Sequence, residues 1–222
     1  MIVANQKPLP EILEMTRRYE HLAVIGCNSC VTVCMAGGEK EVAIVASALR
    51  LAAQNEGRSL TVEEAITERQ CEDEFCEQVR DKVEGAEAVL SLACSVGAQT
   101  MTRHFPERIT LPGLNTAFMG EVREPGLWVE ICAGCGDCII HLTAGICPVA
   151  RCAKTMLNGP CGGSQNGKCE VSKETDCVWQ QIYDRMVALG RLEELLALQA
   201  AKDWRPARDG GPRQRVREDV RK

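Results

Sequence analysis

Aromatic residues are scarce, 4% of a 222-residue chain, so any core it builds must be aliphatic. No stretch of about 18 uninterrupted apolar residues occurs, which excludes a membrane span. The opening segment MIVANQKPLPEILEMTRRYE has no continuous apolar run followed by a small-residue cleavage site, and so makes a poor export signal. A cytoplasmic, reducing environment is the expectation. The net charge of −5 argues against nucleic acid as a partner of the whole chain. No strand is followed by the phosphate-cradling turn Gly-x-Gly-x-x-Gly, and an eightfold βα barrel does not fit in this length.

Cysteine, by contrast, is abundant: fourteen residues, most of them in groups. Cys27, Cys30 and Cys34 form one group; Cys132, Cys135 and Cys138 form a second; Cys147, Cys152, Cys161, Cys169 and Cys177 trail behind. In a reducing compartment thiolates bind metal more often than they pair as disulfides. Gaps of two or three residues also let their sulfurs converge on one small object. Metal ligation is therefore the expected role.

The N-terminal stretch alternates strands and helices. His21 to Gly26 (HLAVIG) reads as a buried strand, and Glu39 to Gln54 has helical apolar spacing through Val42, Val45, Ala46, Leu49 and Ala53. Ser59 to Cys71 is ambiguous and is taken as a strand, although Glu63–Glu64–Ala65 suits a helix. Phe75, Val79 and Val83 mark an amphipathic helix. Glu87 to Leu92 (EAVLSL) is a second clear strand, followed by a helix over Gly97 to Phe105 and a short strand at Ile109–Leu111. The pattern predicts an α/β fold: a small parallel, Rossmann-like sheet over residues 1–126. Ligands of such sheets sit beyond the strand carboxyl ends, at a topological switch point. Cys27 and Cys94 follow predicted strands directly, and Cys71 follows the ambiguous one. With Cys30 and Cys34 they put five thiols at one sheet edge, where a nucleotide-binding relative carries glycines. Gly37–Gly38 is read only as the loop entering a helix.

Glu124 to Gly126 is the expected boundary. Residues 127–200 then hold eight cysteines and many glycines, a composition that depends on metal for its fold. Val178 to Ala200 reads as one long helix with an apolar face of Trp179, Ile182, Tyr183, Met186, Leu189, Leu192, Leu195 and Leu196. Residues 201–222 carry eight Lys/Arg against four Asp/Glu, punctuated by Pro206, Gly210, Gly211 and Pro212. They read as a flexible, solvated basic tail.

Iron–sulfur clusters and zinc both take four sulfur ligands. Cys-Ala-Gly-Cys-Gly-Asp-Cys has the two-residue gaps that begin a bacterial ferredoxin run, so iron–sulfur is favoured there. Cys147–Pro148 resembles the end of that run, but stands nine residues past Cys138, so its centre stays open. Cys152, Cys161, Cys169 and Cys177 suit a closed zinc site about as well as a cluster. Two or three sites are expected in all. Cys76 reads as an ordinary buried thiol, and His104 and His141 as structural residues.

Three segments carry a resemblance: GCNSCVTVCMAGGE, LACSVGAQT, and GICPVARCAKTMLNGPCGGSQNGKCEV followed by CVWQQIY. They resemble the family of small iron–sulfur (MetV-type) subunits of bacterial methylenetetrahydrofolate reductase, up to about Leu196. The resemblance implies [4Fe–4S] clusters, with Zn²⁺ possible at one C-terminal site. It implies pairing with a MetF-type TIM-barrel flavoprotein that uses FMN or FAD to make methyltetrahydrofolate. Electron donors in that family are NADH-oxidising or heterodisulfide-reductase-like subunits. The chain is then expected to be a non-catalytic relay in one-carbon metabolism.

Overall fold

The computed structural model describes residues 1–208 and 211–221. Gly210 and Lys222 of the basic tail lie outside the described residues. The chain divides into two compact units, Met1–Trp128 and Val129–Lys222.

The first unit runs β1 (Ile2–Gln6), α1 (Leu9–Thr16), β2 (His21–Cys27), α2 (Cys30–Val33), α3 (Glu39–Asn55), β3 (Thr61–Thr67), α4 (Asp73–Glu77) and α5 (Arg80–Glu84). It continues with β4 (Ala88–Leu92), α6 (Ser95–His104), β5 (Ile109–Pro112) and β6 (Leu114–Glu124), and the unit boundary falls inside β7 (Leu127–Cys132). Four strands make a parallel sheet in the order β3-β2-β4-β5. The chain leaves β2 toward β3 and then crosses to β4 on the other side. The switch point therefore lies between the carboxyl ends of β2 and β4.

Strand periodicity sets the layers. Leu22 and Val24 of β2 pack with Val42, Val45, Ala46 and Leu49 of α3 in one cluster. Ala23 and Ile25, one residue out of phase, face Cys76, Val79, Val83, Met101 and Phe105 in another. Both faces of the sheet are thus covered, and β4 reads as five consecutive buried residues. The β3 segment is indeed a strand. It lies at the sheet edge, where Glu63 and Glu64 reach solvent and pair with Lys82 and Arg50 at 2.5 and 2.7 Å.

Three features differ from the sequence reading. A second sheet exists, of order β1-β6-β7, with β1 and β6 antiparallel. The helix expected through Phe75–Val83 breaks into α4 and α5. Val79 leaves helical geometry (φ −108, ψ 12) and restarts the next turn, which turns Cys76, Val79 and Val83 into the same cluster. The long C-terminal helix is also shorter than expected.

The second unit holds little regular structure: a 3-10 turn at Ile140–Thr143, α7 (Pro148–Arg151), α8 (Val178–Ala188) and a 3-10 turn at Leu192–Leu196. Gly190 (φ +67) stops α8. Its N–H donates to Val187 O at 3.0 Å and that of Arg191 to Met186 O at 2.9 Å, the two bonds of a Schellman motif. The core is small: Val178, Trp179, Ile182 and Met186 are buried together, with Trp179 Nε1 donating to Met156 O at 3.0 Å. Tyr183, Leu189, Leu192 and Leu196, expected on the packed stripe, are exposed. No helix among the described residues is long and apolar enough to cross a membrane.

Candidate functional site

In the first unit, Cys27 ends β2 and is buried, while Cys94 caps α6 directly beyond β4 and is half-buried. Cys71 lies exposed in the turn between β3 and α4. Burial, then Cys94 and Cys71, pushes the Cys27 thiol up, and the amides of Gln70 and Ser29 facing its sulfur hold it back in part. Burial and then Cys94 likewise push Cys71 up. The switch-point crevice is therefore lined with sulfur.

Cys30 opens α2 and Cys34 follows it. The Cys34 thiol is pushed up by burial and then by Cys30. Its Sγ–H donates to Ile2 O of β1 at 3.6 Å, whereas Cys27 Sγ–H points to Glu68 O at 3.9 Å. Gly37 lets the first loop close on the crevice: its carbonyl accepts the Cys27 N–H at 3.0 Å. A Cβ there would stand 1.9 Å from Leu92 O.

Sequence reasoning missed Gln70. Its side chain is fully buried, donating through Nε2 to Ile25 O and Gly26 O at 2.8 and 3.0 Å and accepting from Ser91 Oγ at 2.6 Å. It joins β2 to β4 beneath the crevice and sits next to Cys71. Its main-chain carbonyl also accepts the Cys76 Sγ–H at 3.3 Å. A single polar residue beside a cysteine in the RQC segment was the available signal. Cys76 is completely buried and burial first of all pushes its pKa up to about 11. His104 binds Glu77 and Asp73 at 2.8 and 3.3 Å, which accounts for it structurally.

In the second unit, Cys132 ends β7, and Gly134 and Gly136 at φ +61 and +83 turn the loop through Cys135 to Cys138. The Gly134 N–H donates to Cys132 Sγ at 3.4 Å. Cys147 caps α7 and accepts the Ala150 N–H at 3.5 Å. Cys152 and Cys177 pack on the small core around Trp179. A short ribbon joins Cys169 N–H to Thr175 O at 2.9 Å and Cys177 N–H to Gly167 O at 2.7 Å, while Cys161 is exposed.

Among the described residues, no three His, Cys, Asp or Glu side chains are arranged to hold a metal ion. The donor set nevertheless has the chemistry that iron–sulfur and zinc centres use. Soft sulfur ligands stand on glycine-turned loops, and main-chain N–H groups already point at Cys27, Cys132 and Cys147.

Fold and thiols together define a doubly wound α/β unit with a sulfur-lined switch point, followed by a cysteine-rich unit. Residues 111–205, from β5 through nearly all the cysteine-rich unit, match the family described as "Methylene-tetrahydrofolate reductase C terminal". No curated protein and no solved structure matches the chain.

Proposed function

We propose that this chain is the iron–sulfur subunit of a methylenetetrahydrofolate reductase complex, relaying electrons to the flavin of a MetF-type catalytic partner. The observation that carries the reading is the substitution of sulfur for glycine at the switch point. The fold there offers Cys27, Cys71 and Cys94, where a nucleotide-binding relative offers N–H groups to phosphate. The family match over residues 111–205 supports association with the reductase.

In this reading Cys27, Cys71 and Cys94, with Cys30 or Cys34, hold one centre. Cys132, Cys135 and Cys138 hold three corners of a second, and Cys147, Cys152, Cys161, Cys169 and Cys177 supply the remaining ligands. Bound [4Fe–4S] clusters supply one-electron transfer. The residues of the chain do the rest. Gln70 fixes the spacing of the β2 and β4 ends, the amides facing Cys27 and Cys132 stabilise sulfur charge, and the aliphatic layers keep water from the sheet. Reduction of the folate is left to the flavoprotein, and electrons come from an NADH-oxidising or heterodisulfide-reductase-like subunit. The Cys169–Cys177 ribbon favours Zn²⁺ at one C-terminal site, since short hairpins with glycine turns suit closed structural zinc.

Anaerobic purification with iron, sulfide and zinc analysis tests the proposal. Iron and sulfide near about eight per chain mean two cubanes, and near about twelve mean three. A colourless chain with zinc at every site sinks the relay and leaves a zinc-stabilised scaffold of the same complex.

A further inference from the structure

The basic C-terminal segment touches the Cys132–Cys138 loop at both positions of its second gap, and at one position of its first. Lys202 has a side chain only 2% exposed, and its Nζ donates to Asp137 O at 2.5 Å and reaches Asp137 Oδ2 at 3.1 Å. The ammonium also approaches Asp203 O at 3.4 Å and the Trp204 ring at 5.2 Å. Pro206 lies against Gly136: a Cβ at that glycine would stand 2.5 Å from Pro206 Cβ and 2.6 Å from its carbonyl oxygen. Arg213 Nη1 donates to Gly134 O at 2.7 Å and to Pro206 O at 2.9 Å. The loop residues touched, Gly134, Gly136 and Asp137, are non-cysteine residues between its thiols.

We propose that the segment carrying Lys202, Pro206 and Arg213 is a strap that fixes the backbone of the Cys132–Cys138 loop, so that only the thiol side chains need turn for it to accept a metal. The inference rests on the proposed function in taking this loop as a metal site. Burying an ammonium is costly unless its hydrogen bonds are met, so the contact fixes both partners.

The Asp137 carbonyl shows what the strap adds. It accepts two donors, Lys202 Nζ and the Cys135 Sγ–H at 3.6 Å. When Cys135 ligates a metal as thiolate its proton leaves to solvent, and that second donor is gone. Lys202 still holds the carbonyl, so the peptide between Cys135 and Cys138 would stay tied when that proton is gone. Asp137 Oδ2 offsets part of the ammonium's charge. The contribution of Lys202 is therefore mainly positional. Gly136 has no side chain for the same reason that the strap can lie close: any Cβ would displace Pro206.

The test uses the full chain, reduced and metal-free, with the Lys202→Met and Arg213→Gln variants. Arg213 is exposed, so the second variant does not threaten the fold. The first readout is the ¹⁵N order parameter at Gly134 and Gly136. We expect values near about 0.85 in the parent and below about 0.6 in Lys202→Met. The second readout titrates Co²⁺ and follows the part of the cobalt–thiolate absorbance that Cys135→Ser abolishes. We expect each variant to bind about tenfold more weakly at that site, the loss of one charged hydrogen bond. Unchanged order parameters overturn the strap. Loosened order with undiminished cobalt affinity overturns its role in metal binding. A parent chain with no Cys135-dependent cobalt band overturns that role and the loop's place in the proposed function together, which the order parameters distinguish from failure of the strap itself.

Discussion

Replacing Gln70 by alanine removes a side chain that ties the β2 and β4 ends together under the sulfur-lined crevice. Three hydrogen bonds go, two donated to Ile25 O and Gly26 O and one accepted from Ser91 Oγ, all fully buried. At about 1 kcal/mol net for each, the bonds account for about 3 kcal/mol. The Ser91 hydroxyl is itself 0% exposed and loses its acceptor, which adds up to about 1 kcal/mol more. The expected cost of about 3–4 kcal/mol corresponds to a fall in melting temperature of roughly 10–15 °C for a domain of this size. Urea denaturation of the reduced, metal-free chain measures it. Far-UV circular dichroism is the probe, because the first unit holds most of the regular structure. The midpoint should drop with little change in slope. Gln70→Leu separates bonding from packing: it restores bulk without donors, and should recover less than half of the loss. A Gln70→Ala cost under about 1 kcal/mol would refute the claim that this side chain sets the strand spacing.

Gly37→Ala should cost about 3 kcal/mol or more in the same assay, since its Cβ would stand 1.9 Å from the Leu92 carbonyl oxygen; near-parent stability would show that the loop has room to shift. Iodoacetamide at neutral to mildly basic pH should label exposed Cys71, Cys132, Cys138 and Cys161 in the metal-free native chain and spare Cys76, which burial holds up at about 11. Peptide mapping that finds Cys76 labelled as fast as Cys71 would contradict its place in the core. The carboxyl of Glu77 is held down at about 2, first by Arg80 and then by His104. A depressed carboxylate adds stability above its ordinary value of about 4.3, and that stability disappears as pH falls toward about 2. Glu77→Gln should therefore flatten the acid limb of the stability curve across that window, less so in high salt because the group is exposed. An acid limb as steep as the parent's would exclude this pair as its source.

The parallel sheet was legible because its central strands are apolar runs closed by turn signals. Past their exposed first residues, HLAVIG and EAVLSL are buried on both faces and show no polar alternation. Glu63–Glu64 blurred β3 for the opposite reason: an edge strand can carry charge, and local composition does not say where the edge is. The antiparallel sheet went unread because LNTAFMGEVRE is largely exposed and shows weak alternation. The C-terminal helix was overextended because its stripe continues in sequence past Gly190. The left-handed turn there ends the helix whatever the stripe does.

The cysteines divide along the same line. Their order and spacing single out the candidate thiols, and the strand–loop grammar places Cys27 and Cys94 at one end of the sheet, where the structure has them. Which thiols meet is a tertiary property. Cys34 turns to Ile2 of a strand that sequence reasoning did not see, a neighbour that spacing alone could not reveal. Gln70 belongs to this class as well, since its partners lie 44 to 45 and 21 residues away. Spacing reports the ligands a chain can offer, while long-range hydrogen bonds decide how far apart they stand. The candidate thiols can therefore be read from sequence, while the hydrogen bonds that fix the backbone around them come from the residues between: Gln70 in the first unit, and Gly134, Gly136 and Asp137 in the second.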